Sequence, residues 1–443
     1  MPTLVRDAGR SALHRRGFLG LAAAGGASLA VGSAAAAPPV RSKARIVIAG
    51  AGAAGLAVAS RLAARLDGAE ITLVDARREH FYQPGYTLVA AGLKPVGYPV
   101  SRTAEWVPRG VKLVEQAVGA FEPAENRIVT AAGTAIPYDF LVVATGLALD
   151  YGAIEGMDTA RIGRDGLGSV YAGPEAAHAT WLEMSRYAER GGDALFQRPA
   201  TEMKCAGAPL KYAFITDDVA RDRGARGRCK LTYAAHNTAL FSVPIVHEKV
   251  RMLFADRGIG VVHNHVLKSI DLGRKRATFT TPQGTTELPY DFINVVPPMR
   301  APDAVRKSPL AWQSGPLAAD GWVEADKATL RHPRFANVFA VGDVAGVPKG
   351  KTAASVKWQV PVAVDHLVAD IAKGKSGAVY NGYTSCPLIT RIGRAMLVEF
   401  DYDNNLVPSF PGIIAPLEEL WITWLMKEIA LKPTYLAMLR GYA

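Results

Sequence analysis

A β-strand, a glycine-rich turn, a helix and a second β-strand follow one another over residues 44–75, and this unit limits the folds open to the chain more than any other feature. The turn, Gly50-Ala-Gly52-Ala-Ala-Gly55, lies between an apolar run and a helical pattern that extends to about Leu66. The first glycine permits a tight turn, the second lets the backbone approach a pyrophosphate, and the third lets the helix pack on the strand. An acid, Asp75, ends the second strand 20 residues after the last glycine (75 − 55), where it can bind a ribose hydroxyl. The unit predicts a dinucleotide-binding module with these cofactor contacts: Gly50, Gly52, Ala53, Ala54, Gly55 and Asp75.

A repeat further along the chain predicts a second module of the same kind. Ile136-Pro-Tyr-Asp-Phe-Leu-Val-Val-Ala-Thr-Gly146 resembles Leu288-Pro-Tyr-Asp-Phe-Ile-Asn-Val-Val-Pro-Pro298. Each segment follows a hairpin-like stretch with a glycine turn, and in each a Tyr-Asp pair leads into an apolar strand. We therefore expect an α/β protein with two Rossmann-like modules, each closed by the same kind of strand.

The second module lacks the glycine fingerprint of the first. Where that turn belongs, the chain reads Cys205-Ala-Gly-Ala-Pro209, with one glycine, and the proline removes a backbone donor that a phosphate would need. The next strand, from Cys229, ends at His236 rather than at an acid. The second module is therefore not expected to bind a nicotinamide dinucleotide.

Two further segments indicate that the first module binds FAD. Phe339-Ala-Val-Gly342-Asp343 is a strand that runs into Gly-Asp, and Lys351-Thr-Ala-Ala-Ser opens a helix that extends to about Ala372. In two-module flavoproteins such an aspartate binds the ribityl chain, and the positive helix end faces the flavin and stabilises its reduced, anionic form. The cofactor contacts predicted in addition to those of the first turn are Ala144, Thr145, Gly146, Gly342, Asp343, Lys351 and Thr352.

The N-terminus has the features of a twin-arginine export signal. Arg15 and Arg16 precede a mildly apolar run, and the tract Ala34–Ala37 offers small residues for cleavage. Residues 1–37 are therefore interpreted as a signal peptide and excluded from the fold. Export of this kind carries folded proteins and suits a chain that takes up its cofactor before it crosses the membrane.

The net charge limits the classes of binding partner that the chain can have, and the cysteine content limits its disulfides. The net charge of +11 falls to about +8 without residues 1–37, which carry a net +3, and a basic surface favours anionic membranes or acidic partners. No basic-aromatic stripe for nucleic acid is present, and no metal site is predicted. Of the three cysteines, Cys229 begins a predicted strand and is interpreted as structural. A bridge involving the others would be functional, since three cysteines are too few for a disulfide scaffold.

With these residues assembled, the chain resembles the sulfide:quinone oxidoreductases, in particular the mitochondrial-like branch. The resemblance spans residues 44–443, and the two cysteine motifs are its most specific part. The segments that carry it are Glu79-His-Phe-Tyr-Gln-Pro84, Lys204-Cys-Ala-Gly-Ala-Pro209, Val296-Pro-Pro-Met299, Gly342-Asp343, Lys351-Thr-Ala-Ala354, Tyr380-Asn-Gly-Tyr-Thr-Ser-Cys-Pro-Leu388, Glu399-Phe-Asp-Tyr402 and Leu439-Arg-Gly-Tyr442.

The resemblance implies a redox pair formed by Cys205 and Cys386, which are 181 positions apart (386 − 205). In the implied reaction, sulfide attacks the oxidised pair, one cysteine becomes a persulfide, and electrons pass through FAD to a quinone while the sulfur leaves to an acceptor. Lys351 is a third candidate catalytic residue, as a cation beside reduced flavin or a developing quinolate, although an ordinary basic residue of a first helical turn is an equal interpretation. Which cysteine carries the sulfur, the acceptor and the quinone type stay open.

The C-terminus predicts amphipathic helices that lie on a membrane surface. Leu417, Leu420, Trp421, Trp424 and Leu425 follow helical spacing, and Lys432-Pro433 is expected to break the helix before a second apolar run. The segment is too short to span a bilayer, and docking on the core or on a second subunit is the alternative. With the export signal, this predicts a periplasmic protein on the outer face of the cytoplasmic membrane.

Two other functions stay open: the flavoprotein subunit of a sulfide:cytochrome c dehydrogenase, and a flavin- or sulfur-binding protein without turnover. A homo-oligomer and a cytochrome c partner are both compatible with the sequence. The predicted divisions are the signal 1–37, the first part of the FAD module 44–150, the second module 151–300 with Cys205, the second part of the FAD module 301–373 and the C-terminal region 374–443 with Cys386.

Overall fold

The computed structural model describes residues 38–442, and the predicted export signal lies outside them. The first of its two large sheets is parallel throughout and fully apolar at its centre, as expected of strands covered on both faces. Two helices, Ala53–Arg65 and Ala353–Ile371, pack on each other in the same core as this sheet. The strand order across the sheet is Val338–Ala340, Phe140–Val143, Arg45–Ala49, Glu70–Val74 and Lys112–Val114.

The first module is discontinuous, as predicted. Its edge strand Val338–Ala340 pairs with Phe140–Val143, although the whole second sheet lies between them in the chain. The helix that follows, Ala353–Ile371, begins after the N-cap Thr352, whose hydroxyl accepts a hydrogen bond from the Ser355 amide at 3.1 Å.

The second sheet is also parallel and has five strands. Three helices accompany it: Pro174–Arg190, Ala208–Asp222 and Pro244–Asp256. The strand order is Leu167–Gly168, Phe292–Asn294, Gly192–Gln197, Cys229–Ala234 and Gly260–Val262. Cys229 is buried at the start of the strand Cys229–Ala234, apart from the other two cysteines, which agrees with a structural role.

The internal repeat corresponds to one contact that occurs in both modules. Asp139 accepts a hydrogen bond from the Arg45 amide at 2.7 Å and donates its own amide to the Arg45 carbonyl at 2.8 Å. Asp291 does the same with Asp193, at 2.9 Å and 2.7 Å. In each module the aspartate of the Tyr-Asp pair therefore ties the strand that follows it to the beginning of a strand in the same sheet, Arg45–Ala49 or Gly192–Gln197, which explains why the aspartate recurs.

The remaining strands form small sheets and hairpins. A three-stranded antiparallel sheet precedes each of the two Tyr-Asp pairs. The first sheet consists of Val118–Glu122, Arg127–Thr130 and Ala135–Pro137. The second consists of Val266–Asp271, Arg276–Thr281 and Gly284–Pro289. The two-stranded pairs are Val40–Arg41 with Leu66–Asp67, Glu79–Phe81 with Val100–Arg102, Ala148–Leu149 with Met299–Arg300, Val323–Glu324 with Ala345–Gly346, and Thr384–Arg391 with Arg394–Phe400. Short helices lie at Tyr86–Val89 and Asp303–Arg306.

The C-terminal helix differs from the prediction in two ways. It begins only at Trp421, because Leu417 has a left-handed backbone (φ 60°) and Leu420 is extended, so these two residues do not belong to the helix. Pro433 does not break it: an α-helical turn, Trp421–Leu425, continues through a π-helical turn, Met426–Ala430, into Leu431–Leu439. Proline removes the hydrogen bond to the residue four before it, and the wider π turn beside it accommodates that loss without ending the helix.

Within residues 38–442, no helix is both long enough and apolar enough to cross a membrane. The boundaries predicted for the modules stay predictions, but the order of elements fits two α/β modules followed by a hairpin and a helix.

Candidate active site

One cavity lies at the carboxyl ends of the first sheet, where parallel sheets bind their ligands. Its wall includes most of the predicted cofactor contacts, the two motif cysteines and part of the C-terminal helix. The predicted residues in the wall are Gly52, Ala53, Ala54, Ala144, Thr145, Gly146, Cys205, Gly342, Asp343, Lys351, Thr352 and Cys386.

Gly50 and Gly55 lie behind the wall and shape the turn. A Cβ atom at Gly55 would lie 1.8 Å from the Gly50 carbonyl oxygen, and one at Gly50, where φ is +108°, would lie 2.4 Å from the Ala144 carbonyl oxygen. Neither position can hold a side chain without moving the backbone. The strand, the turn and the helix therefore meet closely, and the second glycine, Gly52, faces the open cavity.

Asp75 holds the glycine turn from the neighbouring strand. Its carboxylate accepts hydrogen bonds from the Ala51 amide at 2.7 Å and from Arg77 Nη2 at 2.8 Å. Burial alone would raise the pKa of Asp75, but Arg77 and the backbone amides lower it below its usual value. The carboxylate is thus ionised beside the cavity, and its contact with a ribose stays a prediction.

The cavity wall fits a flavin dinucleotide. The hydroxyl of Thr145 is buried and has no hydrogen-bond partner among the described residues, so it is available to a ligand. The N-terminus of Ala353–Ile371 opens onto the cavity through Thr352, Ala353 and Ala354, where its positive end favours an anionic group. Gly342, at φ +76°, turns the chain so that Asp343 enters the wall.

Lys351 is a buried residue of the cavity wall, and its ammonium group already donates hydrogen bonds. Nζ donates to the carbonyls of Asp343 at 2.7 Å and Ala345 at 3.2 Å, and it lies 3.6 Å from the centre of the Trp322 ring. Burial lowers the pKa of Lys351 to about 8, while Asp343 acts in the opposite direction. These contacts fix the turn that carries Asp343, and a direct part of Lys351 in electron transfer stays a prediction.

Cys205 and Cys386 meet in the wall of this cavity. Their sulfur atoms are 3.9 Å apart as free thiols, and Cys386 is buried in the hairpin strand Thr384–Arg391. Cys205 has a left-handed backbone, at φ 49°, and its amide donates to the Lys351 carbonyl at 3.0 Å. Gly207 makes the approach possible, because a Cβ atom there would lie 2.7 Å from the Cys386 sulfur.

The two thiols differ in acidity. A hydrogen bond from Cys386, followed by the positive charges of Lys211 and Lys427, holds the pKa of Cys205 well below that of an ordinary thiol. The same hydrogen bond and burial raise the pKa of Cys386 well above it. These opposite shifts favour a thiolate at Cys205 over one at Cys386.

Two buried lysines that the sequence analysis did not identify surround the pair. Lys211 Nζ lies 3.4 Å from the Cys205 sulfur; burial alone would lower the pKa of Lys211, but the charges of Cys205 and Cys386 raise it. Lys427, in the π-helical turn, donates to the Pro84 carbonyl at 2.5 Å, and burial and Lys211 lower its pKa to about 7. The available signal was a lysine inside an apolar helical run, in Pro-Leu-Lys211-Tyr and in Leu-Met-Lys427-Glu.

The chain is similar to several known proteins. Residues 44–174 match the family model described as pyridine nucleotide-disulphide oxidoreductase. The chain is 33% identical to the mitochondrial sulfide:quinone oxidoreductase of Mus musculus over 90% of its length and 86% of that protein. It is 34% identical to the mitochondrial sulfide:quinone oxidoreductase of Dictyostelium discoideum over 83% of its length and 80% of that protein.

A solved structure supports the fold. The X-ray structure of the sulfide:quinone oxidoreductase of Aquifex aeolicus superimposes with a TM-score of 0.74 at 21% identity, covering 90% of this chain and 92% of that one. The predicted fold class is confirmed, including the discontinuous first module.

Proposed function

The chain belongs to the sulfide:quinone oxidoreductase family, which makes it an FAD-dependent oxidoreductase, and from this premise we propose that it oxidises sulfide to sulfane sulfur at Cys205 and Cys386 and reduces a membrane quinone. The observation that carries the proposal is the meeting of two thiols of opposite pKa shift in the wall of the cofactor cavity. When bound, FAD accepts the two electrons released by sulfur and passes them on to the quinone.

The acidity of the two thiols assigns their roles in the sulfur step. A disulfide opens by nucleophilic attack on one sulfur, and the thiol of lower pKa is the better leaving group. Hydrosulfide therefore attacks Cys386 Sγ, an S–S bond forms to the incoming sulfur, and the bond to Cys205 Sγ breaks. Cys386 becomes the persulfide, and Cys205 leaves as a thiolate stabilised by Lys211 at 3.4 Å.

The cycle closes on the same two residues. A nucleophilic acceptor takes the outer sulfur and leaves Cys386 as a thiolate, and the disulfide then re-forms with the release of two electrons. These two electrons, which equal those lost by sulfide on its conversion to sulfane sulfur, would pass to bound FAD and then to the quinone, so no other oxidant is needed. For the disulfide bond to form, the distance between the two sulfur atoms has to shorten by about 2 Å from the observed 3.9 Å.

The C-terminal helix supports a quinone that arrives from a membrane. Leu431 and Tyr435 line the cavity, whereas Trp421 is 55% and Ile429 62% exposed on the same helix. The loop that precedes this helix in the chain contains Ile413, which is 80% exposed. Exposed tryptophan and isoleucine side chains on a protein of net positive charge suit a membrane interface. A quinone that leaves the bilayer at this surface would reach the cavity along one helix.

The sequence supports export of the folded protein. Arg15, Arg16 and the apolar run after them are the grounds for a periplasmic location, and they lie outside the described residues. Replacing both arginines by lysine is expected to retain the protein in the cytoplasm, as measured by cell fractionation. A double variant that fractionates like the wild type would contradict twin-arginine export.

Anaerobic titration with sulfide tests the function. We expect the flavin of the holoenzyme to be bleached by sulfide and restored by a soluble quinone. A flavin that sulfide does not bleach contradicts the proposal and favours a binding protein without turnover. Bleaching followed by reoxidation with a c-type cytochrome, but not with quinone, favours the cytochrome-linked alternative.

A further inference from the structure

The backbone of Cys205 is held in a conformation that a cysteine does not adopt by itself. At φ 49° it is left-handed, a conformation that is unfavourable for a residue with a side chain. Such a conformation persists only when the surrounding contacts determine it. Two of these contacts are backbone hydrogen bonds: the Cys205 amide donates to Lys351 O at 3.0 Å, and the Ala208 amide donates to Cys205 O at 2.8 Å.

A side chain from another part of the chain completes these contacts. The hydroxyl of Tyr171 lies 3.0 Å from the Lys204 carbonyl oxygen and 3.2 Å from the Cys205 carbonyl oxygen. It therefore donates to the two carbonyls on either side of the Cys205 Cα atom. The Tyr171 ring also lies 5.7 Å from Lys204 Nζ, in cation–π contact. Tyr171 therefore holds both the backbone and the side chain at this point.

Tyr171 is itself well fixed. It belongs to the 3₁₀ turn Val170–Ala172, directly before the helix Pro174–Arg190. The preceding Ser169 is fully buried, and its hydroxyl donates to the Val295 carbonyl at 2.7 Å. The cavity wall includes Tyr171 beside Cys205 and Cys386.

We propose that Tyr171 is a positioning residue that sets where the Cys205 sulfur stands relative to Lys211, Cys386 and the flavin. It does not take part in sulfur chemistry: burial raises the pKa of its hydroxyl well above the usual value, so it stays protonated and donates to the two carbonyls. This proposal rests on the proposed function for its catalytic consequence, but its structural part concerns the thiol alone.

The consequence follows from distances. The Cys205 thiolate is stabilised by Cys386 at 3.9 Å and by Lys211 at 3.4 Å, and both contacts depend on the loop that Tyr171 holds. Without the hydroxyl, the Lys204 carbonyl loses this donor, the Cys205 carbonyl keeps only the Ala208 amide, and the left-handed residue can relax. The sulfur then moves away from both partners, and the pKa of Cys205 rises.

The variant Tyr171→Phe keeps the ring and removes only the hydroxyl. We expect site-resolved alkylation of Cys205 by iodoacetamide, measured by mass spectrometry on the reduced holoenzyme, to need a higher pH than in the wild type. Flavin bleaching by sulfide is expected to slow about tenfold, because small misplacement of a reacting group is costly. Reoxidation of the flavin by a soluble quinone is expected to change less than about twofold, since that half-reaction does not use the Cys205 sulfur.

Tyr187→Phe is the matched control. The hydroxyl of Tyr187 also donates a hydrogen bond to a backbone carbonyl of the second module, the Gly192 carbonyl at 3.0 Å. Tyr187 lies outside the cavity wall. In Tyr187→Phe we expect the pH profile of Cys205 alkylation and the rate of flavin bleaching by sulfide to match those of the wild type. An alkylation profile of Tyr171→Phe like that of the wild type would overturn the proposal, as would an equal slowing of both half-reactions with a lower melting temperature. If the wild type is not bleached by sulfide, the proposed function fails, and the alkylation profile alone still decides the position of Tyr171.

Discussion

The sulfur atoms of Cys205 and Cys386 lie 3.9 Å apart although 181 residues separate them in the chain. One comes from the loop before a helix of the second module, and the other from a C-terminal hairpin strand that packs on that helix. Gly207, in the same turn as Cys205, leaves the space in which the Cys386 sulfur sits. The packing of hairpin on helix thus creates the thiol pair, and the chemical differences between the two thiols follow from their neighbours.

Replacing either cysteine by serine is expected to abolish sulfide oxidation. For Cys205→Ser and for Cys386→Ser, we expect sulfide-dependent quinone reduction to fall at least about 100-fold, because both the attacked sulfur and the leaving thiolate are required. Cys229→Ser is the control, since Cys229 lies in another core strand, and its activity per folded enzyme is expected to stay within about twofold. A loss of less than about tenfold in either of the first two variants would contradict the mechanism.

Removing the charge of Lys211 is expected to raise the pKa of Cys205. A thiolate stabilised by an adjacent ammonium group is present at a lower pH than an ordinary thiolate, and its fraction falls as the pH falls through that pKa. In Lys211→Met we expect Cys205 to be alkylated more slowly than in the wild type at mildly acid pH. We also expect bleaching of the flavin by sulfide at pH 6 to slow about tenfold. The exposed Lys268→Met serves as control. Identical pH profiles of Lys211→Met and the wild type would exclude this role for Lys211.

Gly207→Ala tests the close approach of the two sulfur-bearing elements. The backbone at Gly207, with φ −82° and ψ −8°, suits any residue, so the effect is purely one of space. The added methyl group would lie 2.7 Å from the Cys386 sulfur and 3.0 Å from Leu388, and overpacking of this kind costs about 1–3 kcal/mol.

We expect disulfide formation in Gly207→Ala, followed by thiol titration, to slow about tenfold or more, as that cost predicts. Gly227→Ala is the matched control, because the space around Gly227 is open within 4 Å. Equal rates in the two variants would show that the hairpin can move away at no cost.

Gly55→Ala is expected to abolish cofactor binding. The added Cβ atom would lie 1.8 Å from the Gly50 carbonyl oxygen, so the helix and the glycine turn have to separate. We expect purified Gly55→Ala to contain little FAD, as measured by its absorbance near the flavin maximum. Gly97→Ala, at an open position, is expected to contain as much FAD as the wild type. Full occupancy in Gly55→Ala would contradict the assignment of this turn to the cofactor.

The exposed apolar residues of the C-terminal region are expected to bind membranes. We expect the triple variant Ile413→Ser, Trp421→Ser and Ile429→Ser to lose most of its co-sedimentation with vesicles that contain anionic phospholipid. Its flavin is still expected to be bleached by sulfide, since these side chains lie outside the cavity wall. Val379→Ser, at an exposed residue elsewhere, is the control. Undiminished vesicle binding of the triple variant would instead favour docking of this surface on another protein.

Local sequence determined the parts of this protein whose physics is local. The glycine turn at residues 50–55, the acid Asp75 and the repeated Tyr-Asp pairs each follow from short-range rules of backbone geometry and strand burial, and all of them lie where the sequence indicates. The chain also indicated that the second module had lost its phosphate turn, because Pro209 and the single Gly207 are readable without a structure.

Only the tertiary structure decided the acidity of the thiols and the path of the C-terminal helix. Lys211, Lys427 and Tyr171 act on Cys205 through burial and through distances of a few ångströms across segments far apart in sequence, and no spacing rule encodes such distances. The prediction at Pro433 was wrong because the effect of a proline depends on whether the preceding turn can widen. Here that turn is π-helical, and its Lys427 donates to the Pro84 carbonyl. The sequence specified which residues are candidates for the chemistry, and the packing of distant segments determined the opposite pKa shifts of the two thiols.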